Sequence, residues 1–166
     1  MSFVIEALVA HYERGPFACG VEVLDRYLKE QANQDVRRRV TRVFVALPEG
    51  SHEIAGFYTL SAGSVSRNSL PPILAKRLPH YPVPVAILGR LAVDRRWAGK
   101  GLGAALVGDA VQRIVRASTS LAIHAIVVDA KDEAAQAFYE HLGFIPLPEE
   151  ARRLFLPLSA VEKLTE

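Results

Sequence analysis

The sequence predicts a mixed α/β or α+β domain built on a mixed sheet, and three observations predict it. Strand-like and helix-like stretches alternate along 166 residues. The second half reads strand–helix–strand–helix–strand. Between the first of those strands and its helix lies RRWAGKGLG, residues 95–103, with three glycines and three cations (Arg95, Arg96, Lys100) in nine positions.

Each element follows from local pattern. Phe3 to Leu8 is a first strand. Cys19, Gly20 and Val21 lead into VLDRYLKEQANQD, where Val21, Leu24, Tyr27 and Leu28 recur at helical spacing. RVTRVFVAL is β-branched and alternating, hence a strand. PEGSH is a hairpin-type loop, and IAGFYTLSAGSVS is the antiparallel partner. NSLPPILAKRLPHYP is punctuated by proline and leaves room for one short helix. VPVAILGRLAVD is a long strand whose internal Gly89 marks a bulge. GLGAALVGDAVQRIVRAS is a helix with Leu102, Leu106, Ala110, Val111 and Ile114 on one face. LAIHAIVVDA reads as a buried strand. DEAAQAFYEHLGF is a helix that starts at Asp132 and Glu133 and stops at Gly143. FIPL and RLFLPL close as strands, and SAVEKLTE is a short terminal helix.

Composition bounds the function. Half of the residues are hydrophobic and 23% are charged, the balance of a globular chain of one domain, residues 1–166. Net charge is +2, so no overall field selects a partner. The local clusters do more: Arg37, Arg38, Arg39 and Arg42 form one, and Arg90, Arg95, Arg96 and Lys100 another. The single cysteine, Cys19, excludes an intramolecular disulfide and a zinc site built on several thiolates, which fits a reducing cytoplasm. It reads as a small buried residue. The five histidines show no metal-ligand spacing, so no metal is expected. No secretory leader opens the sequence and no apolar run reaches the roughly 18 residues of a membrane span, so no membrane partner is expected.

The glycine-rich turn is the chemical signal. A strand that feeds a helix through such a turn presents unpaired N–H groups and a helix dipole to an anion. A Walker A loop is excluded, because Gly101 follows Lys100 where that loop needs Ser or Thr. A dinucleotide fingerprint matches at Gly99, Gly101 and Ala104, yet too few strand units follow for two mononucleotide halves. Arg-x-x-Gly-x-Gly fits at Arg96, Gly99 and Gly101.

With LGRLAVD before it, that loop resembles the acyl-CoA loop of the GCN5-related N-acetyltransferase (GNAT) superfamily. DAKDEAAQAFYEHLGF, about 30 residues on, resembles the second half of the same core. A narrower resemblance spans nearly the whole chain. FACGVEVLDRYLKEQANQDVRRRVTRVFVAL, GFYTLSAGSVS and PVPVAILGRLAVDRRWAGKGLG are similar to the acetyltransferase toxins of bacterial toxin–antitoxin pairs. The resemblance implies a mostly antiparallel central sheet flanked by helices, with a strand pair splayed at the acetyl-CoA site. It implies transfer of acetyl from acetyl-CoA to the amino acid on a charged tRNA. It also implies a ribbon-helix-helix antitoxin, operator DNA bound only through the toxin–antitoxin complex, and a homodimer.

Residue roles carry over on the matching positions. Leu91 and Val93, whose side chains read as core, would pair their backbone with the pantetheine amides. Arg96, Trp97, Ala98, Gly99, Lys100, Gly101, Leu102 and Gly103 would surround the pyrophosphate, mainly through N–H groups, with a surface cap as the other reading of Trp97. Tyr139, in FYEHLGF, would protonate or hydrogen-bond the departing CoA thiolate, while Phe138 beside it reads as core. Arg37, Arg38, Arg39 and Arg42, with Arg14 or Arg77 near them, would meet the tRNA backbone. No general base stands out, and that favours an α-amine. At pH 7 about one α-amine in ten is neutral, against about one lysine in two thousand. An acetyltransferase for a small amine or a protein N-terminus, and a non-catalytic CoA- or nucleotide-binding module, remain the alternatives.

Overall fold

The computed structural model describes residues 2–148 and 150–165. They fall into two compact units: residues up to Ser61 with Gly89–Ala110, and Ala62–Leu88 with the residues from Val111 onward.

In the first unit β1 (Phe3–Ala7) pairs antiparallel with β2 (Arg42–Pro48), and β2 with the first half of β3 (Gly56–Val65). The hairpin read from PEGSH is therefore present. The second half of β4 (Val83–Val93) runs beside β3. Phe17, Leu28, Val43, Val45, Ile54, Phe57 and Ala92 form the core of this unit.

The helix read from VLDRYLKEQANQD is there, but not as one regular helix. α1 (Glu22–Arg26) passes through a π-helical turn at Tyr27–Gln31 into α2 (Ala32–Arg37). The Ala32 N–H reaches the Tyr27 carbonyl five residues back, and the wider turn buries Tyr27, Leu28 and Ala32 together.

The α2 C-terminus closes by a double bond pattern, Val40 N–H to Asp35 O and Arg39 N–H to Val36 O, both 3.1 Å. That closure needs a left-handed residue, and Arg39 supplies it with φ of 61°. An L side chain there costs about 1–2 kcal/mol. Arg152, at φ 62°, has a compensation: its carbonyl accepts from Ala130 N–H (2.8 Å) and its guanidinium donates to Lys131 O (3.3 Å). The Arg39 side chain has no such contact. Arg39→Gly is accordingly expected to stabilise the fold by about 1 kcal/mol, raising Tm by roughly 2–4 °C in a thermal melt.

In the second unit the first half of β4 pairs parallel with β5 (Ala125–Asp129), β5 antiparallel with β7 (Arg153–Pro157), and β7 with β6 (Ile145–Pro146). Val65, Val83, Val85, Ala125, Val127, Leu147 and Phe155 form its core. α3 (Pro72–Ala75) is the short helix expected among the prolines, and α6 (Leu158–Thr165) the terminal one. β5 is shorter than LAIHAIVVDA suggests, because Leu121 lies exposed before it.

Along these pairings the strand order is β1-β2-β3-β4-β5-β7-β6, with one parallel neighbour pair, β4 and β5. The mostly antiparallel sheet read from the family resemblance is thus present. The parallel register runs only from Val85 to Leu88, while β4 continues to Val93. From Gly89 on, no parallel pairing of β4 is recorded among the described residues. At Gly89 itself the strand runs on unbroken. What the glycine gives is room: a Cβ would stand 3.1 Å from the Thr59 hydroxyl, which accepts the Arg90 N–H at 3.0 Å.

α4 (Leu102–Ala117) buries Leu102, Leu106, Val107, Ala110 and Ile114, so Val107 takes the place read for Val111. α5 (Glu133–His141) starts as read, with Asp132 accepting the Ala135 N–H at 2.8 Å, and ends before Gly143 at φ 102°.

Candidate active site

The loop between β4 and α4 is built from Asp94. This carboxylate is 1% exposed and accepts four hydrogen bonds. They come from the Arg96 N–H (2.9 Å), Arg96 Nε (2.9 Å), Arg96 Nη2 (3.4 Å) and the Ala18 N–H (3.0 Å). Burial pushes its pKa up, but the bonds from Arg96 and Ala18 outweigh that and hold it below the ordinary carboxylate value. Arg95 N–H returns a bond to Ala18 O (2.9 Å), so the segment before α1 and the start of the loop are clasped in both directions. Arg96 also reaches Glu53 at 3.1 Å.

This clasp engages the first part of the loop. The N–H groups of Arg96, Trp97 and Ala98 are already bonded, to the Asp94 carboxylate, Asp94 O and Arg95 O. The Arg96 guanidinium is committed to Asp94 and Glu53. These three residues shape the turn. Trp97 packs edge-on against Phe3 at 5.2 Å, with the Lys100 ammonium 5.3 Å from its ring, so its reading as a cap on the loop fits.

From Gly99 on the backbone is open. The first bond of α4 runs from Ala105 N–H to Gly101 O (3.1 Å). The N–H groups of Gly101, Leu102, Gly103 and Ala104 therefore precede the helical ladder and have no partner within it. Gly99 and Gly101 adopt φ of 73° and 83°, and a Cβ on either would meet nothing within 4 Å. The space over them is open, the backbone is bare, and the exposed Lys100 lies between them in sequence. A diphosphate fits this donor set.

Leu91 and Val93 flank the buried Ala92 and are themselves half-buried, so their side chains are not the core residues expected. Among the described residues, the parallel pairing of their strand ends at Leu88.

Tyr139 lies on α5, with its ring packed edge-on against Phe138 (5.2 Å) and Phe144 (5.5 Å). It is 6% exposed, while Phe138, read as the core residue of the pair, is only half-buried. Among the described residues no group bonds the Tyr139 hydroxyl, and no fully buried side-chain N or O atom lacks a partner. The hydroxyl must then be accessible while the ring is not. Burial pushes its pKa up to about 12, so it stays protonated at neutral pH.

Arg37, Arg38, Arg39 and Arg42 are all exposed at the end of α2 and the start of β2, and none has an acidic partner among the described residues. Arg14 reaches the same helix from the side. Its guanidinium braces the fold through Leu28 O (3.2 Å), Val9 O (3.3 Å) and Asn33 Oδ1 (2.9 Å), and burial lowers its pKa. Cys19, read as a buried residue, is half-buried against the core of the first unit. His124 stands half-buried just before β5, its pKa lowered by burial. Among the described residues no three His, Cys, Asp or Glu side chains gather as metal ligands, and no helix is long and apolar enough to cross a membrane.

A strand that leads through a glycine turn into a bare helix N-terminus suits the diphosphate of an acyl-CoA-dependent acyltransferase. The chain belongs to the acetyltransferase (GNAT) family, whose model matches residues 6–144. It is 39% identical over 140 residues to the tRNA-acetylating toxin of Mycobacterium tuberculosis, covering 84% of this chain and 82% of that one. Its structure is similar to AtaT complexed with acetyl-methionyl-tRNAfMet, with a TM-score of 0.93, 34% identity, and 99% and 100% of the two chains covered. It is also similar to a tyrosine-to-phenylalanine mutant of AtaT bound to the C-terminus of the antitoxin AtaR and acetyl-CoA. There the TM-score is 0.86, at 32% identity over 98% of each chain.

Proposed function

We propose that this acetyltransferase is a toxin. It moves acetyl from acetyl-CoA to the α-amine of the amino acid on a charged tRNA, and translation stops as a result. The likeness over most of the chain to a tRNA-acetylating toxin, and to a relative complexed with acetylated charged tRNA, carries this reading.

The residues take the following parts. The N–H groups at Gly101, Leu102, Gly103 and Ala104, with Gly99 and Lys100, hold the diphosphate of acetyl-CoA. The backbone at Leu91 and Val93 pairs with the pantetheine amides as a strand pairs with a peptide. Arg96, Trp97 and Ala98 keep the turn in shape. The neutral α-amine attacks the thioester carbonyl, a C–N bond forms, and the amine proton passes to solvent. When the C–S bond breaks, the Tyr139 hydroxyl donates to the departing thiolate. A phenol with a pKa of about 12 remains a donor across the range in which the amine loses its proton. Arg37, Arg38, Arg39 and Arg42 meet phosphates of the tRNA. A ribbon-helix-helix antitoxin neutralises the enzyme, the pair binds operator DNA through the antitoxin, and the toxin works as a homodimer in the cytoplasm, where charged tRNA is found.

Labelled acetyl-CoA offered with a pool of charged tRNAs tests the reading. Label on the amino acid of one or more charged tRNAs is expected. Label on lysines or small amines, with none on tRNA, would overturn it. In the same assay Arg37→Glu, Arg38→Glu and Arg39→Glu together should weaken charged-tRNA binding and leave acetyl-CoA binding unchanged. The salt dependence of tRNA binding should become shallower by at most about three phosphate contacts. An unchanged salt slope would place these arginines away from RNA.

A further inference from the structure

Arg90 sits on β4 next to Leu91. Its guanidinium carbon lies over the Tyr27 ring, 3.7 Å from the centroid. The Tyr27 ring stacks in turn near Phe57, with centroids 6.3 Å apart and planes 17° apart. The Tyr27 hydroxyl is pinned to Asp35 Oδ2 at 3.0 Å. The result is a three-layer stack, aromatic core to tyrosine to guanidinium, that fixes the plane of Arg90 before any ligand arrives.

The stack leaves the hydrogen-bonding capacity of Arg90 unspent. A guanidinium carries five N–H donors. Among the described residues none of them meets an acceptor, although Arg90 is half-buried. Desolvated arginines ordinarily have a carboxylate or phosphate. Arg90 instead lines a cavity of about 200 Å³, shared with Val23, Arg26, Tyr27, Glu30 and Gln31. Arg26 is engaged with Glu22, and Gln31 with Asp35 at 3.2 Å. The helical wall of the cavity is the π turn, a departure from regular helix that tends to mark functional sites. The volume is below that of a drug-sized ligand pocket, about 300 Å³ and up, so it takes a fragment of a larger substrate.

We propose that Arg90 is the anchor for the acceptor end of the charged tRNA, its guanidinium holding the phosphodiester that precedes the terminal nucleoside. This rests on the tRNA-acetylating reading above. In an aminoacyl ester the carboxylate of the amino acid is consumed, so the anion with two equivalent oxygens close to the reacting amine is that phosphodiester. A fixed guanidinium plane suits it bidentately. The other source of such an anion is the carboxylate of a free amino acid, which would make the enzyme an amino-acid acetyltransferase.

The test compares three acceptors: charged tRNA, an aminoacyl ester of adenosine that lacks the phosphate, and the free amino acid. Wild type, Arg90→Lys and Arg90→Met are assayed on each, and the readout is the ratio of kcat/KM between acceptors within one preparation. A variant that is merely less stable loses rate on all three and leaves the ratios unchanged. For Arg90→Met the preference for charged tRNA over the phosphate-free ester should fall about 10- to 100-fold, mostly through KM, the scale of a lost hydrogen bond to a charged group. Arg90→Lys, which keeps the charge and loses the plane, should recover only part of it. An unchanged ratio in both variants overturns the proposal, and so does Arg90-dependent acetylation of the free amino acid. Failure of the tRNA reading itself looks different: wild type then leaves charged tRNA unlabelled.

Discussion

Tyr139→Phe is expected to lower kcat by about 10²–10⁴, the usual scale of general acid catalysis, and to leave the affinity for acetyl-CoA within a few-fold. The split follows from where the two parts of this side chain lie. The ring is buried against Phe138 and Phe144 and contributes to packing, which phenylalanine keeps. The hydroxyl bonds nothing among the described residues, so its loss leaves no partner unsatisfied and costs the fold little. An interaction made only as the C–S bond breaks belongs to the transition state, so its removal acts on kcat. The pH profile adds a second check. The tyrosine pKa is raised to about 12, so its protonated donor form persists until pH approaches that value and is lost only above it. Wild-type kcat/KM should therefore rise as the α-amine deprotonates and show no Tyr139 limb below about pH 10. Steady-state kinetics over pH, calorimetry with acetyl-CoA and a melt of the variant are the measurements. Near-normal turnover in a folded, acetyl-CoA-binding variant would assign the proton to water and leave Tyr139 a packing residue.

Local pattern carried the parts of this molecule that local energetics decide. The strand alternation of Val43 and Val45, the capping by Asp132, the stop at Gly143 and the bare backbone at Gly99 and Gly101 are properties of neighbours in sequence, and the fold and the anion loop were legible from them. What periodicity could not carry are contacts between distant segments. Asp94 reads as an ordinary residue at the end of a strand, yet its carboxylate meets the N–H of Ala18, 76 positions away. That pairing ties the Arg96 guanidinium to the turn through Asp94. The π turn at Tyr27–Gln31 escapes for a related reason: Val21, Leu24, Tyr27 and Leu28 fit a regular helix, and only the burial of Ala32 beside them demands an extra residue per turn. Arg90 was visible as one cation in a cluster. Its stacking on Tyr27, 63 positions earlier in the chain, was not. Tyr139 was picked out by family resemblance, because a helix tyrosine that packs by its ring and one that exposes its hydroxyl look alike in sequence.

Gly101→Asp is expected to weaken acetyl-CoA binding by at least about 100-fold in a calorimetric titration, and Gly101→Ala by far less. Three effects separate the two variants. Both pay for an L side chain at φ 83°, a cost of about 1–2 kcal/mol that falls mainly on the loop. Neither side chain clashes with the protein, since a Cβ at Gly101 meets nothing within 4 Å. Aspartate alone adds a negative charge at the N-terminus of α4, where the helix dipole and the N–H groups of Leu102, Gly103 and Ala104 favour anions. That is a favourable place for a carboxylate, so the variant should fold at least as well as Gly101→Ala. The same preference makes it a competitor for the diphosphate, because the carboxylate takes up the donors and repels the phosphates. Charged hydrogen bonds of this kind are worth about 1.5–3 kcal/mol each, and losing one or two accounts for the fold-change. Raising the salt concentration should narrow the gap between Gly101→Asp and wild type, since the repulsive part is screened, while the gap between Gly101→Ala and wild type should hardly move. Equal affinities for all three proteins would mean that the open N–H groups at the start of α4 face solvent and that acetyl-CoA is held elsewhere.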